Sequence, residues 1–156
     1  MIKAIILDVD GVLTDGTVEW SSNGEESKRF SFADIMGITL ARKAGITVAL
    51  VSAEHSPLVD RFAMKAGITD VHKGCKDKAK AIRVFAALRS LDLSEICFMG
   101  DDVNDIEAMK IVGMAAAPEN ATSPVHCGLH GLYVTGHSGG NGAVRELVDR
   151  ILAETL

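Results

Sequence analysis

Short apolar runs alternate along the chain with longer stretches in which apolar residues recur at helical spacing. The runs Ala4–Leu7, 46–51 and Ile96–Met99 are each bounded by a charge or a glycine and read as buried strands. Between them, 35–44 ends at Gly45, Pro57–Ala66 follows a Ser56 cap and stops at Gly67, and 79–88 carries apolar residues at helical spacing. Strand-helix units repeated in this way predict an α/β fold, a Rossmann-like doubly wound parallel sheet with crossover helices. One segment breaks the rhythm. Residues 17–20 and 25–32 form two polar, weakly alternating arms around Ser21-Ser22-Asn23-Gly24, which reads as a β-hairpin at about 17–32 projecting beyond the sheet. Near the end, Gly139-Gly140-Asn141-Gly142 precedes an amphipathic helix at 143–152.

With 156 residues and no linker, repeat or low-complexity tract, one domain over 1–156 is expected. The longest apolar run falls short of the roughly 18 residues of a membrane span, and residues 1–7 lack a signal-peptide core, so a cytoplasmic protein without a membrane partner is expected. A net charge of -5 without a basic run gives no electrostatic reason to bind nucleic acid. Cys75, Cys97 and Cys127 show no CxxC spacing and read as reduced thiols.

The chemistry concentrates after two strands. Asp8-Val9-Asp10-Gly11-Val12-Leu13-Thr14-Asp15-Gly16 follows the first strand directly, where ligands of open α/β sheets bind. Two carboxylates two residues apart suit a pair with different roles, one attacking and one handling protons. Gly100-Asp101-Asp102-Val103-Asn104-Asp105 follows Ile96–Met99, and carboxylates at the ends of two parallel strands can share a hard cation such as magnesium. Helix capping explains one such aspartate; it does not require three carboxylates and an asparagine in five positions. Ser52 closes the middle strand and Lys78 opens a helix; a hydroxyl and an ammonium there can hold phosphate oxygens, although taken singly they read as a helix cap and a solvated charge.

In this order, DxDGVLTDG, a serine closing the next core strand, Lys78 and GDDxND resemble the four motifs of the haloacid dehalogenase superfamily. The resemblance implies Asp8 as nucleophile, Asp10 as general acid and then base, and Ser52, Lys78 and Gly11 as phosphate ligands. It implies magnesium held by Asp8, Asp101 and the Asp10 carbonyl, with Asp102 and Asp105 as supporting carboxylates. A second aspartate is similar to the phosphatases and phosphomutases of the superfamily rather than to its transport ATPases. Between Asp10 and Ser52 there is room for the hairpin and one helix, and between Lys78 and Asp101 for one helix and one strand, so no cap domain fits.

A capless chain with a hairpin resembles the small tetrameric phosphatases of 3-deoxy-octulosonate 8-phosphate and of nine-carbon 2-keto-3-deoxy sugar acid 9-phosphates. Lys28-x-Phe30, Asp34-x-x-Gly37-Ile38, Gly74-x-x-Asp77-Lys78 and Gly139-Gly140-x-Gly142-Ala143-x-Arg145-Glu146 carry that likeness. It implies a phosphorylated sugar acid as substrate, Glu54 and Asp34 as substrate contacts, and a homotetramer assembled through the hairpins. Ala53-Glu54 is similar to the nine-carbon branch, which tilts the expected substrate that way, although Phe62 stands where that branch carries an arginine. The segments around Asp34 and Ser52 also resemble the non-catalytic C-terminal module of animal sialic-acid activating enzymes. Intact Asp101, Asp102 and Asp105 count against such an assembly domain, and the missing lid counts against a mutase.

Other residues invite less. His126, Cys127 and His130 lie among glycines that suggest a loop and lack a fourth zinc ligand of the usual kind. Trp20 suits packing against a strand or subunit, His72 a satisfied loop histidine, and Lys28 and Arg145 read equally as surface charges or as ligands.

Overall fold

In the computed structural model, which describes residues 1–154, the apolar runs become strands of one six-stranded parallel sheet. The strands are β1 (Ala4–Leu7), β4 (Thr47–Val51), β5 (Asp70–His72), β6 (Ile96–Met99), β7 (Met114–Ala117) and β8 (Tyr133–Val134), in the order β5-β4-β1-β6-β7-β8. A separate antiparallel pair, β2 (Glu19–Trp20) and β3 (Glu26–Ser27), makes the hairpin. The chain steps outward on one side of β1, then crosses to β6 and steps outward on the other. That reversal opens a crevice at the carboxyl ends of β1 and β6, the switch point where ligands bind in such sheets.

Because successive strand residues face opposite sides, each central strand feeds two cores. Ile5, Leu7, Val48, Leu50, Cys97 and Met99 pack beneath α1 (Phe32–Lys43), α2 (Pro57–Ala66) and α6 (Ala143–Ala153). Ala4, Ile6, Ala49, Val51, Ile96 and Phe98 pack beneath α3 (Lys78–Arg89), α4 (Ile106–Met109) and α5 (Ser123–Gly128). Burial on both faces explains why these strands are apolar at every position.

The helices begin where side chains satisfy free amides. Ser31 accepts from the Ala33 amide, Ser56 from Leu58 and Asp77 from Lys80, and α2 ends on Gly67 in the left-handed conformation. The Ser31 cap corrects the expected hairpin, because Phe32 opens α1 instead of ending a strand. The two arms shrink to two residues each, since further pairing would leave polar strands with no face to bury. Helix α5 replaces the expected loop at His126 and Cys127. Among the described residues, no helix is long and apolar enough to cross a membrane. Cys75, Cys97 and Cys127 are free thiols.

Candidate active site

Asp8 sits one residue beyond β1, where its amide still donates to Met99 O at 2.9 Å. Its side chain is 8% exposed, and the carboxylate receives two bonds, from the Val9 amide to Oδ1 at 2.8 Å and from Lys78 Nζ to Oδ2 at 2.9 Å. Lys78, in the first turn of α3, is 2% exposed and also donates to Asp105 Oδ1 at 2.6 Å. The other Asp105 oxygen accepts from the amides of Asp101 at 2.9 Å and Asp102 at 3.2 Å. One buried ammonium thus fixes the loop after β1 against the loop after β6.

These charges act strongly on one another. Burial and the Asp105 charge push the Asp8 carboxyl up to about 7, with Lys78 opposing. Burial and the Asp105 and Asp102 charges bring Asp101 up to about 7 as well. Burial works against the Lys78 charge, but Asp8 and Asp105 hold its pKa above the ordinary lysine value. Oxygens of Asp8, Asp101 and Asp105 lie within 4.8 Å of one another. A cluster of hard oxygen donors carrying more negative charge than one lysine neutralises fits a divalent cation, and magnesium suits it because it retains waters in the remaining positions. Asp105 takes three donors, Lys78 on Oδ1 and two loop amides on Oδ2, whereas each Asp8 oxygen takes only one and keeps a lone pair for a cation beside Asp101.

Gly11 makes the approach possible. Its φ is +84°, and a Cβ there would lie 1.9 Å from Asp101 Oδ2. Its amide donates to Thr14 Oγ1 at 3.2 Å, and its carbonyl accepts from Asn120 Nδ2 at 3.0 Å. Asn120 Oδ1 in turn accepts from the Gly139 amide at 2.6 Å. A Cβ on Gly139 would lie 2.0 Å from Gly11 O, so the glycine turn before α6 packs directly on the loop after β1.

The crevice opens as a cavity of about 580 Å³ lined by Asp8, Asp10, Lys78, Asp101 and Asp102 at its floor and by Glu54, His55 and Ser56 at one wall. Trp20, Glu26 and Lys28 of the hairpin region line it as well. Lys28 Nζ donates to Asp10 Oδ1 at 2.7 Å, and Glu26 Oε1 accepts from Ser56 Oγ at 2.8 Å, so the hairpin root is fastened across the mouth. Ser52 lies at the tip of β4, buried, its Oγ accepting from the Glu54 amide at 3.2 Å.

Asp8, Asp10, Asp101, Asp102, Lys78 and Glu54 therefore share one cavity, with Ser52 and Asp105 buried beside it. Asp34 does not join them, which corrects its expected role. It is fully buried and accepts from the amides of Gly142 at 3.4 Å and Arg145 at 3.0 Å, capping α6 from α1. Arg145 turns its guanidinium to Asp149 on the surface, with Nε 2.9 Å from either carboxylate oxygen. Phe62 stacks on Phe30 with ring centroids 4.7 Å apart and belongs to the core. Trp20 is 70% exposed, with Nε1 donating to Glu26 Oε2 at 3.4 Å. His72 ends β5 with its Nε2 buried and unpaired. Thr14, inside the DxDGVLTDG motif, and Asn120, which carried no sequence signal beyond its polarity, order the loop after β1, whereas Lys28 was visible only as part of Lys28-x-Phe30.

A buried carboxylate paired with a buried lysine, a second carboxylate two residues on and a cluster of acidic oxygens that could hold a cation thus meet at the switch point of a doubly wound sheet. The chain belongs to the haloacid dehalogenase-like hydrolases, whose family model matches residues 14–144. It is 35% identical over 151 residues to the 3-deoxy-D-manno-octulosonate 8-phosphate phosphatase KdsC of Yersinia pestis, covering 97% of this chain and 80% of that protein. The Moraxella catarrhalis 3-deoxy-D-manno-octulosonate 8-phosphate phosphatase, solved with magnesium, phosphate and a KDO molecule, is 34% identical with a TM-score of 0.93. The match covers 97% of this chain and 86% of that one. A cobalt-bound octulosonate 8-phosphate phosphatase of Haemophilus influenzae matches at 34% identity and a TM-score of 0.91, over 97% of this chain and 88% of that one. The chain is an enzyme of the phosphatase type with a divalent-metal cofactor, and the reading as a non-catalytic assembly domain is set aside.

Proposed function

We propose that the chain is a magnesium-dependent phosphatase that removes the terminal phosphate of a 2-keto-3-deoxy sugar acid through a phospho-aspartate on Asp8. The observation that carries this reading is Asp8 itself, buried at the cavity floor between Lys78 and the Val9 amide, with Asp10 and Asp101 in the same cavity. In the first step an Asp8 oxygen attacks phosphorus, the bond from phosphorus to the sugar oxygen breaks, and Asp10 gives that oxygen its proton. In the second, Asp10 takes a proton from water, the water oxygen attacks phosphorus, and the Asp8 carboxylate leaves. Lys78 keeps the Asp8 carboxylate oriented in both steps and, with Ser52 Oγ, supplies donors to phosphate oxygens; the Gly11 amide joins them only on giving up its bond to Thr14 Oγ1. Magnesium held by Asp8, Asp101 and the Asp10 carbonyl would neutralise charge on the phosphoryl group. The hairpin with its exposed Trp20 is read as the assembly surface of a homotetramer.

For the sugar, the eight-carbon 8-phosphate comes first, because it is the substrate named for the relatives matched over nearly the whole chain. Glu54 supports a second reading. An anionic side chain on the cavity wall disfavours a nearby sugar-acid carboxylate but accepts hydrogen bonds from the hydroxyls of a longer, nine-carbon chain. Phosphate release from both substrates, with and without magnesium, tests the proposal. Turnover is expected only with magnesium and not in Asp8→Asn; metal-independent turnover or an active Asp8→Asn rejects it. Glu54→Arg is expected to move kcat/KM towards the eight-carbon acid. A wild-type preference for that acid of tenfold or more, about 1.4 kcal/mol in transition-state binding, removes the nine-carbon reading.

A further inference from the structure

Of the two lysines lining the cavity, only Lys78 has a role in the mechanism given above. Lys28 stands just beyond β3 in a polar stretch, Glu25-Glu26-Ser27-Lys28-Arg29, where a lysine is expected to extend into water. Its side chain is instead 5% exposed, with Nζ 2.7 Å from Asp10 Oδ1 and 3.6 Å from Glu26 Oε1. Glu26 is itself held by Ser56 Oγ and Trp20 Nε1, which fixes the lysine from behind. Asp10 needs such support. Asp8 is gripped by an amide and an ammonium, but among the described residues Lys28 is the sole hydrogen-bond partner of the Asp10 carboxylate, which is 33% exposed.

We infer that Lys28 is a positioning residue for Asp10: its ammonium occupies Oδ1 and leaves Oδ2 as the oxygen that passes the proton to and from the reacting groups. The inference rests on the reading of Asp10 as acid and base. When Asp10 is neutral, Lys28 donates to its carbonyl oxygen Oδ1 and the proton sits on Oδ2, facing the leaving oxygen. After the sugar oxygen has taken that proton, the Asp10 carboxylate is anionic beside a cation, and Oδ2 receives the next proton from water. Lys28 exchanges no proton in this scheme, so the proton balance closes on Asp10 alone. Without Lys28 the carboxylate is free to rotate away from the line of transfer, where a small displacement loses much of the catalytic advantage.

The test is the single-turnover rate of leaving-group release from two substrates, 3-deoxy-octulosonate 8-phosphate with its poor alkoxide leaving group and 4-nitrophenyl phosphate, whose leaving group needs no proton. Asp10→Asn sets the scale, with a loss on the sugar-acid phosphate of roughly 10²–10⁴-fold and a much smaller one on the aryl ester. Lys28→Met is expected to follow the same direction, losing roughly tenfold or more on the sugar-acid phosphate and less than about threefold on the aryl ester. Lys28→Arg, which keeps a charged donor, should recover most of the loss, and Lys28→Gln carries the same readout if the methionine variant does not fold. Equal slowing on both substrates by Lys28→Met overturns the inference. Equal losses in Asp10→Asn itself overturn the acid role of Asp10, a different failure seen in a different variant.

Discussion

Replacing Lys78 with methionine retains the buried aliphatic stem and removes only the ammonium that joins Asp8 at 2.9 Å to Asp105 at 2.6 Å. Removing one partner of a buried ion pair costs about 3–5 kcal/mol, because the remaining charge has lost its solvent and its counter-ion. One cation here compensates two carboxylates, so the upper half of that range is expected at pH 8. For a chain of this size each kcal/mol corresponds to roughly 2–4 °C, which places the fall in Tm at about 8–20 °C. At pH 6 the fall should shrink. Asp8, already brought up to about 7 with Lys78 opposing the shift, rises further without it and escapes the penalty by taking a proton. Thermal unfolding of the metal-free wild type and Lys78→Met at both pH values measures this directly. A Tm within about 2 °C of wild type at pH 8 would refute the reasoning, since a loss below about 1 kcal/mol means that the ammonium does not compensate the two carboxylates.

Two further outcomes follow from the same geometry. Asp8 and Asp101 carry folded-state pKa values of about 7 against about 3.9 in an unfolded chain, so between those values the folded protein binds more protons. The stability this contributes is lost as pH rises through 7; Tm of the metal-free protein should rise from pH 8 to pH 6, and saturating magnesium, which needs both groups deprotonated, should flatten the trend. A metal-free Tm that falls over this interval contradicts the assignment. Gly11→Ala should weaken magnesium binding measured by calorimetry, because its Cβ would lie 1.9 Å from Asp101 Oδ2, and should cost about 1–2 kcal/mol for the left-handed backbone. Unchanged affinity would mean that Asp101 does not hold the cation.

The sequence displayed most clearly what local chemistry controls. Strands β1 and β6 were readable to the residue, because a four-residue apolar run bounded by a charge or a glycine is too short for a helix, and α2 was readable because Ser56 and Gly67 mark both ends. Strand β7 was not, because Met114-Ala115-Ala116-Ala117 carries no strand preference and pairs only because β6 offers a free edge. Asp34 illustrates a similar limit at the site. Its place in a motif suggested ligand contact, and only the docking of α6 on α1 shows its carboxylate filled by backbone amides. Lys28 was ambiguous for the converse reason, since nothing in a polar arm indicates that the chain will fold it back onto Asp10.

The central claim is that a covalent phosphate passes through Asp8, and borohydride trapping tests it most directly. Enzyme quenched during turnover and reduced with sodium borohydride converts an aspartyl phosphate to homoserine, and peptide mass spectrometry then locates the altered residue. The expected result is homoserine at Asp8, dependent on both substrate and magnesium, with Asp10, Asp101 and Asp105 unchanged. Homoserine at another carboxylate, or none in an enzyme that is releasing phosphate under the same conditions, would contradict the account.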